Sequence, residues 1–201
     1  MLDTGFFRRW IAAAATSVSR EADRLTDLDS AIGDADHGAN LQRGFTAAAA
    51  ALEEEGPPTP GAVLVLAGRQ LISKVGGASG PLYGTLLRRA GKALGDAGQV
   101  TGPQLRDALR AGADAVTQLG GAAPGDKTML DALLPAVDAL GTSGADFEAA
   151  REAALKGALA TVPLLARKGR ASYLGERSIG HQDPGAASTA LLFAALAEAV
   201  R

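Results

Sequence analysis

Three aspartates stand within eight residues of one short stretch, LDSAIGDADHGAN, at positions 28–40. Carboxylates that are brought together repel one another unless a cation lies between them. Because their oxygens are hard ligands and the chain has no cysteine, Asp29, Asp34 and Asp36 favour Mg²⁺, with Mn²⁺ or Ca²⁺ as substitutes. Their spacing does not match an EF-hand loop, which needs ligands at alternate positions and a glutamate at the twelfth.

The three carboxylates can converge only if the chain turns between them. On a regular helix Asp29 and Asp36 would share a face, whereas Asp34 would point elsewhere. Gly33 permits the backbone to leave the helix at this point. The alternative interpretation is that these aspartates are helix caps and solvated turn residues, and each fits it when taken singly. Three within eight residues, followed by glycine, favour a metal site.

The two histidines leave their function open. His37 adjoins the aspartates and could orient a phosphate, transfer a proton or carry a phosphoryl group. His181 is a weaker candidate in a long loop. A hydrogen-bonded histidine in a turn is the alternative for both residues.

A second group of residues suits a phosphate. The turn GGASG at positions 76–80, with Ser79 and then Pro81, offers bare backbone amides, a hydroxyl and the positive end of a helix. It lacks the GxxxxGK[ST] arrangement of a Walker loop, and no strand precedes it. Glycine-rich turns also join helices without binding anything.

Two further loops add candidate contacts to a nucleotide. In GGAAPGDKTML, Thr128 is a candidate phosphate donor and Met129 an apolar wall for a ring, although a helix cap at Asp126 or Thr128 and a core methionine are the alternatives. Near the C-terminus, Arg177 could hold a phosphate by two hydrogen bonds, and Asp183 with Gly185 could lie against the nucleotide. A surface arginine and a helix-capping aspartate are the alternatives there.

Helices must position these loops, because apolar residues recur at three- and four-residue steps and no run of β-branched residues alternates with polar ones. We therefore expect an all-α fold without a sheet. Breakers such as GPPTPG divide the chain into eight helices. The expected helices cover about residues 4–27, 38–55, 60–75, 81–94, 103–119, 128–140, 145–166 and 184–200.

Short connections favour an up-and-down bundle of antiparallel neighbours. In such a bundle the connections after the first, third, fifth and seventh helices emerge at the same end. These four connections hold the aspartates, the GGASG turn, the GDKT loop and the long RKGRASYLGERSIGHQDPG loop. The other connections, EEEGPPTPG, GDAGQVTG and GTSGAD, are typical linkers. The topology thus predicts one site at one end of the bundle.

Composition limits the class of protein. A length of 201 residues suits one domain over 1–201, and 20 basic against 22 acidic residues give a net charge of −2, which argues against nucleic acid or an anionic membrane as partner. The start does not read as a secretory signal, and no uncharged apolar run is long enough for a membrane span. We therefore expect a cytoplasmic protein that binds proteins or small molecules.

Four motifs resemble one known family. AIGDADHGANLQRGF, GGASGPLYGTLL, GDKTMLDALLPA and GRASYLGERSIGHQDPGAASTALL are similar, in order and along essentially the whole chain, to the nucleotide-binding L subunit of dihydroxyacetone kinase. The resemblance implies an eight-helix up-and-down barrel that grips ADP or ATP through two Mg²⁺ ions at one end. It implies that Asp29, Asp34 and Asp36 are the metal ligands. The nucleotide contacts it implies are His37, Gly38, Ala39, Asn40, Ala78, Ser79, Gly120, Met129, Arg177, Asp183 and Gly185.

One residue departs from the family's pattern. Ala35 stands where the family's GDGDHG usually has glycine, so a positive φ at this position would strain the backbone by about 1 kcal/mol. Fatty-acid kinase relatives typically read DGDTG and carry a different glycine loop. His37 and GGASG therefore favour the dihydroxyacetone branch.

The resemblance also implies a phosphoryl relay. A phosphohistidine on an M-type phosphotransferase protein would convert bound ADP to ATP, and the γ-phosphoryl would pass to dihydroxyacetone on a separate K subunit, without a covalent nucleophile in this chain. Free ATP stays open as the donor, and a related ketose such as erythrulose as the substrate. Two alternative functions also stay open: a nucleotide-dependent module that binds a transcription regulator, and a purely structural helical adaptor. A homodimer stays open as the oligomeric state.

Overall fold

Helices occupy most of residues 1–141 and 145–200, the residues that this computed structural model describes. Within them lie nine α-helices, one 3₁₀ segment and one pair of two-residue strands. The elements are β1 Leu2–Asp3, α1 Thr4–Arg20, α2 Ala22–Ile32, α3 His37–Glu55, α4 Pro60–Lys74, α5 Ser79–Leu94, β2 Gln99–Val100, α6 Gly102–Gly120, α7 Leu130–Ala139, α8 Phe147–Ala160, the 3₁₀ segment Arg170–Ser178 and α9 Pro184–Glu198.

Side-chain caps fix where several helices begin. The Asp3 carboxylate accepts a hydrogen bond from the Phe6 amide at 2.9 Å, and the Thr59 hydroxyl accepts one from the Ala62 amide at 3.2 Å. Thr101 forms a capping box with Gln104 at the start of α6. These bonds satisfy amides that have no partner within their own helix.

Eight of the helices form a closed ring. From α3 to α9 each helix packs against the next one in the chain, and α1 closes the ring by packing against both α3 and α9. The apolar faces meet in one core that includes Trp10, Phe45 and Phe193. The Trp10 indole N–H is satisfied there, because it donates to the Leu192 carbonyl oxygen at 2.9 Å. Helix α2 lies outside the ring and leads the chain from α1 into the aspartate stretch.

The all-α prediction is confirmed, with three differences in detail. The first expected helix, residues 4–27, is two helices that break at Glu21, and the second of them continues to Ile32. The seventh ends at Ala160 rather than at residue 166. The expectation of no sheet was wrong, because β1 and β2 pair antiparallel, with Leu2 opposite Val100. This pairing joins short backbone segments outside the helices and needs no alternating pattern.

The other boundaries lie close to the predicted ones. Residues 142–144 of the expected GTSGAD linker lie outside the described residues. Among residues 1–141 and 145–200, no helix combines the length and the hydropathy that a membrane crossing requires.

Candidate functional site

A cavity of about 460 Å³ opens at one end of the ring. Its volume falls in the range of small-molecule sites, about 300–1,000 Å³. All four connections that the alternating topology assigned to one end contribute to its wall. The lining includes Asp29, Asp34, Asp36 and His37 from the first connection, Gly76–Ser79 from the second, Gly120, Ala122 and Lys127–Met129 from the third, and Lys168–Ala171 and Asp183–Gly185 from the fourth.

The three aspartates converge at one edge of this cavity. Asp29 lies in the last turn of α2, whereas Asp34 and Asp36 follow the end of that helix. Each can offer one carboxylate oxygen so that the three oxygens lie within 4.8 Å of one another. The chain turns between them as the spacing required, and two backbone conformations produce the turn.

Gly33 and Ala35 make this turn. A Cβ at Gly33 would lie 2.0 Å from the Asp29 Oδ1 atom, so only glycine leaves room for that carboxylate. Ala35 has φ +61°, which is a left-handed conformation. The family that the motifs resemble usually has glycine at this position. A non-glycine residue there is strained by about 1 kcal/mol. The aspartate loop therefore contains a strained backbone position, at Ala35.

The donor set fits a hard divalent cation. Asp29 Oδ2 accepts the Asp36 amide at 2.9 Å and the His37 amide at 3.2 Å, which orients its carboxylate. Asp34 Oδ2 forms an ion pair with Arg170 Nη2 at 2.9 Å. Three carboxylates whose oxygens lie this close need positive charge between them, and an all-oxygen set is the one that Mg²⁺ prefers.

His37 is buried beneath the aspartates and links three helix starts. Its Nδ1 atom lies 3.2 Å from the Ser79 hydroxyl at the start of α5, and its Nε2 atom lies 2.9 Å from the Ser188 hydroxyl in α9. Burial lowers the pKa of His37, although Asp29 and Asp36 act in the opposite direction. We infer a neutral imidazole with both nitrogens engaged by hydroxyl groups.

The hydrogen-bond network continues into the interior through Tyr83. Its hydroxyl donates to the Gly185 carbonyl oxygen at 3.1 Å and lies 2.7 Å from Ser188 Oγ and 2.8 Å from Thr189 Oγ1. Burial raises the pKa of Tyr83, so the phenol stays protonated. The starts of α3, α5 and α9 are thus held together by one buried chain of hydrogen bonds.

The second connection presents backbone amides to the cavity. Gly77, with φ +64°, turns the chain into α5, which begins at Ser79. The first amides of a helix carry the positive end of its dipole and have no partner within the helix, so they suit an anion. The position is next to the aspartates, since Ser79 contacts His37 directly.

Apolar side chains also line the cavity. Met129 lines the cavity and is also a buried member of the hydrophobic core, so the apolar wall and the core methionine both fit it. Gly120 ends α6 at the same wall, and Thr128 caps the turn into α7 by accepting the Leu130 amide at 3.2 Å. The apolar lining also includes Ile32, Leu82, Val116, Leu119, Ala122 and Leu130. A flat ring would be desolvated against this wall.

Asp183 both caps α9 and lines the cavity. Its Oδ2 atom accepts the Ala186 amide at 2.7 Å, and its own amide donates to the Thr161 hydroxyl at 2.9 Å. Burial raises the pKa of Asp183 to about 7, while hydrogen bonds from the backbone and the charge of Lys127 oppose the rise. The capping alternative is therefore correct for this residue, and it does not exclude contact with a ligand.

Four of the expected contact residues do not line the cavity. Gly38 packs against α2, where a Cβ would lie 1.9 Å from the Ala22 carbonyl oxygen. The Asn40 side chain accepts a hydrogen bond from Arg43 at 2.5 Å instead. Ala39 is exposed on α3, and Arg177 is exposed on the 3₁₀ segment. Their contacts to a nucleotide stay predictions, because this structure does not direct these side chains into the cavity.

Three basic residues in the lining were not expected. Lys127, Lys168 and Arg170 belong to the third and fourth connections. Lys168 and Arg170 stand in the same connection as Arg177, the basic residue that was expected to contact phosphate. No basic residue of the third connection was expected, so Lys127 was missed altogether. Arg170 faces the aspartates while Arg177 does not, because Gly175, with φ +56° and ψ −132°, interrupts the 3₁₀ segment between them.

Comparison with known proteins identifies the family of this chain. Residues 31–198 match the DAK2 domain. The ADP-binding subunit DhaL of the PEP-dependent dihydroxyacetone kinase from Escherichia coli is 44% identical over 199 residues, which cover 96% of this chain and 95% of that protein. D-erythrulose kinase from Mycolicibacterium smegmatis is 40% identical, over 94% of this chain but only 34% of that protein.

A solved structure supports the same relationship. The dihydroxyacetone kinase of C. freundii in complex with AMP-PNP and Mg²⁺ superimposes with a TM-score of 0.75 at 28% sequence identity. The match covers 95% of this chain and 33% of that one. Together with the family match over residues 31–198 and the near full-length relative, these findings show that the chain belongs to the DAK2-domain family and, within it, to the DhaL type.

Proposed function

We propose that this chain is the nucleotide-binding subunit of a dihydroxyacetone kinase and that residues 1–201 form one such domain. It would hold ADP or ATP with Mg²⁺ and pass the γ-phosphoryl to dihydroxyacetone bound on a separate K-type subunit. The observation that carries the proposal is that three convergent carboxylates, the start of helix α5 and apolar side chains all line one cavity. These are the parts that phosphoryl transfer requires for positioning and charge neutralisation.

In the proposed complex, Asp29, Asp34 and Asp36 hold two Mg²⁺ ions. The ions would neutralise the phosphate oxygens during transfer. The amides of Ala78 and Ser79 would bind phosphate at the start of α5, and His37 would fix the Ser79 hydroxyl. Gly38, Ala39 and Asn40 complete the expected phosphate segment.

The other wall of the cavity would receive the base. Met129 and Gly120 would contact the ring, Thr128 would bind phosphate, and Asp183 with Gly185 would lie along the nucleotide. Arg177 is the expected phosphate contact in the fourth connection, whereas Arg170 is the arginine of that connection that lies beside Asp34. No side chain of this set would need to become phosphorylated, since charge and position suffice.

The relatives differ in how much of their length this chain matches. The chain spans almost all of the Escherichia coli relative, but about a third of D-erythrulose kinase. The relatives of similar length are named PEP-dependent in Escherichia coli and PTS-dependent in Lactococcus lactis, where the identity is 38%. We therefore propose that an M-type phosphotransferase protein is the phosphoryl donor and that a K-type subunit binds the acceptor, dihydroxyacetone.

One alternative has support of its own. Because the chain is also 40% identical to part of D-erythrulose kinase, an ATP-dependent kinase subunit for a related ketose is the second candidate. A transcription regulator as partner and a homodimer stay predictions.

Reconstitution tests the proposal. The chain is combined with a K-type subunit and dihydroxyacetone, and formation of the phosphorylated ketose is followed with either a phosphorylated M-type protein or free ATP as donor. We expect product from the M-type donor with only catalytic amounts of ADP. Product from free ATP alone, or a preference for erythrulose, would favour the alternative. The absence of product with every donor and ketose would contradict both kinase proposals.

A further inference from the structure

Lys127 has no assigned function and is the most deeply buried charged side chain that the described part of the chain contains. Only 1% of its surface is exposed, whereas lysine is almost never fully buried without partners. Its backbone has φ +64°, which a non-glycine residue rarely adopts. Burial lowers the pKa of Lys127, and the charge of Asp183 opposes this. A buried charge and a strained backbone at one residue call for a compensating interaction.

The compensation comes from backbone carbonyl groups. Lys127 Nζ donates to the carbonyl oxygens of Thr161 at 2.8 Å, Leu164 at 3.1 Å and His181 at 2.5 Å, and the Val162 oxygen lies at 3.4 Å. An ammonium group has three N–H donors, so these acceptors saturate it. The geometry is a cage of carbonyl oxygens of the kind that also binds a monovalent cation.

Two of the connections that form the cavity meet at this cage. Lys127 belongs to the third connection, while Leu164 and His181 lie between α8 and α9, in the segment that contains the fourth connection. Thr161 and Val162 directly follow α8, where carbonyl groups lack partners within the helix and carry the negative end of its dipole. The ammonium group therefore ties the GDKT loop to the end of α8 and to the segment that leads into α9.

The residues next to the cage face the cavity. Met129 is two residues after Lys127, and Asp183 is two residues after His181. The two segments touch there, because a Cβ at Gly185 would lie 3.5 Å from the Met129 amide nitrogen. A second hydrogen bond also joins the third connection to the fourth, because the Arg167 amide donates to the Asp126 carbonyl oxygen at 3.1 Å.

We propose that Lys127 is a positioning residue of the nucleotide site. Its ammonium group fixes the third connection against the fourth, so that Met129 and the Asp183–Gly185 turn keep their spacing across the cavity. Loss of this group removes the ammonium donor from the Leu164 and His181 carbonyl oxygens, whereas the Thr161 and Val162 oxygens keep the Leu164 and Gly180 amides as donors. The lost hydrogen bonds to Leu164 and His181 favour separation of the two connections. This inference rests on the proposed function, because it takes a nucleotide to be the molecule held between them.

The test uses the full-length chain with Mg²⁺ and ADP, at a temperature well below the melting transition. Lys127→Ala removes the ammonium group and leaves space, Lys127→Met fills the space without charge, and Lys127→Arg keeps charge and donors. Lys156→Ala is the matched control, since Lys156 is exposed on α8. We expect the Kd for ADP to rise about tenfold or more in Lys127→Ala and Lys127→Met, less in Lys127→Arg and not in the control.

Added ammonium ions test the positioning function by the ADP affinity that they restore. A lysine with a purely structural function would give no such effect on affinity. We expect NH₄⁺ to restore ADP affinity in Lys127→Ala, where the cage has room, but not in Lys127→Met, and choline to restore neither. In the nucleotide-free chain, amide hydrogen exchange in residues 123–129 and 161–183 should become faster in Lys127→Ala and slow again with NH₄⁺.

The outcomes separate this inference from the proposed function. Unchanged ADP affinity in Lys127→Ala, or a lower melting temperature with unchanged affinity, would overturn the positioning function while nucleotide binding stands. A wild-type chain that binds no ADP would refute the proposed function and, with it, the positioning of a nucleotide. Exchange rates that Lys127→Ala leaves unchanged would show that Lys127 does not hold the connections together.

Discussion

The two ends of the helical ring use the same kinds of residues for different purposes. At the end away from the cavity, Thr59, Thr101 and Asp146 cap helices at or near the surface, and Gly56 supplies the left-handed turn that ends α3. At the cavity end, an aspartate cap is buried at Asp183, and left-handed positions are occupied by Ala35 and Lys127.

This contrast separates folding from function. The far end follows the usual rules for caps and turns, so its residues satisfy the backbone at little cost. The cavity end gathers carboxylates, buried polar groups and strained backbone, which lower stability unless something binds there. In the described residues, both non-glycine positions with positive φ belong to connections that line the cavity. Matched substitutions at the two ends can test this division.

The largest effect is expected from a pair of glycine substitutions. In Gly33→Ala, the new Cβ would lie 2.0 Å from Asp29 Oδ1 and displace that carboxylate, so we expect the Mg²⁺-dependent affinity for ADP to fall about 100-fold. Gly56→Ala at the far end meets no atom within 4 Å but must adopt φ +56°. We expect it to lose about 1 kcal/mol of unfolding free energy and no affinity. Calorimetric titration and urea unfolding measure the two effects, and equal affinities in both variants would contradict the division.

The next effect concerns two aspartate caps and pH. The folded-state pKa of Asp183 is raised to about 7 from an ordinary 3.8, so between these values the folded chain binds a proton that the unfolded chain releases. The unfolding free energy should therefore fall as pH rises through this window, by at most about 1.4 kcal/mol per pH unit. Asp183→Asn should remove this part of the slope, which urea unfolding at several pH values measures.

Asp146→Asn is the control for this measurement, because Asp146 caps α8 at the exposed far end and accepts the Ala149 amide at 2.9 Å. It should leave the pH slope as it is in the wild type. If Asp183→Asn and Asp146→Asn give the same slope as the wild type, the buried carboxyl group of Asp183 does not titrate as inferred.

Two tyrosines test the buried hydrogen-bond network. Tyr83→Phe removes the hydroxyl that contacts Gly185, Ser188 and Thr189, so we expect the unfolding free energy to fall by about 1–2 kcal/mol. Tyr173 is 88% exposed, and Tyr173→Phe should stay within about 0.5 kcal/mol of the wild type. Thermal and urea unfolding of both variants provide the comparison, and a larger loss in Tyr173→Phe would argue against the network.

The smallest effect is expected at Ala35. Ala35→Gly relieves a φ of +61°, so the unfolding free energy should rise, by up to about 1 kcal/mol. Ala39→Gly, in the first turns of α3, should lower it by about 0.5–1 kcal/mol, because helical glycine costs backbone entropy. Urea unfolding distinguishes the two signs, and a loss of stability in Ala35→Gly would show that the aspartate loop is not strained there.

The sequence predicted which connections form the cavity end more accurately than where the helices there begin and end. The aspartate spacing and Gly33 required a turn, and the order of the helices placed four connections together, so both features follow from local pattern and topology. The break at Glu21 was not predicted, because helix-forming residues continue through it. As a result Asp29 was expected in the connection, whereas it lies in the last turn of α2.

Long-range contacts account for what could not be predicted. The partners of Lys127 are backbone carbonyl groups 34 to 54 residues away, and no side-chain pattern marks them. The choice between Arg170 and Arg177 depends on the backbone reversal at Gly175, which sequence spacing does not reveal. Residues that act through the backbone are thus the ones that sequence patterns miss.

Direct titration of ADP into the metal-free chain, with and without Mg²⁺, tests the central claim. The account predicts binding only when Mg²⁺ is present, with loss of binding after chelation and in Asp34→Ala. Asp96→Ala, the same change of charge in the far connection between α5 and α6, should bind as the wild type does. ADP binding that is independent of the divalent ion, or that survives equally in Asp34→Ala and Asp96→Ala, would contradict the proposal that the three aspartates hold the nucleotide through Mg²⁺.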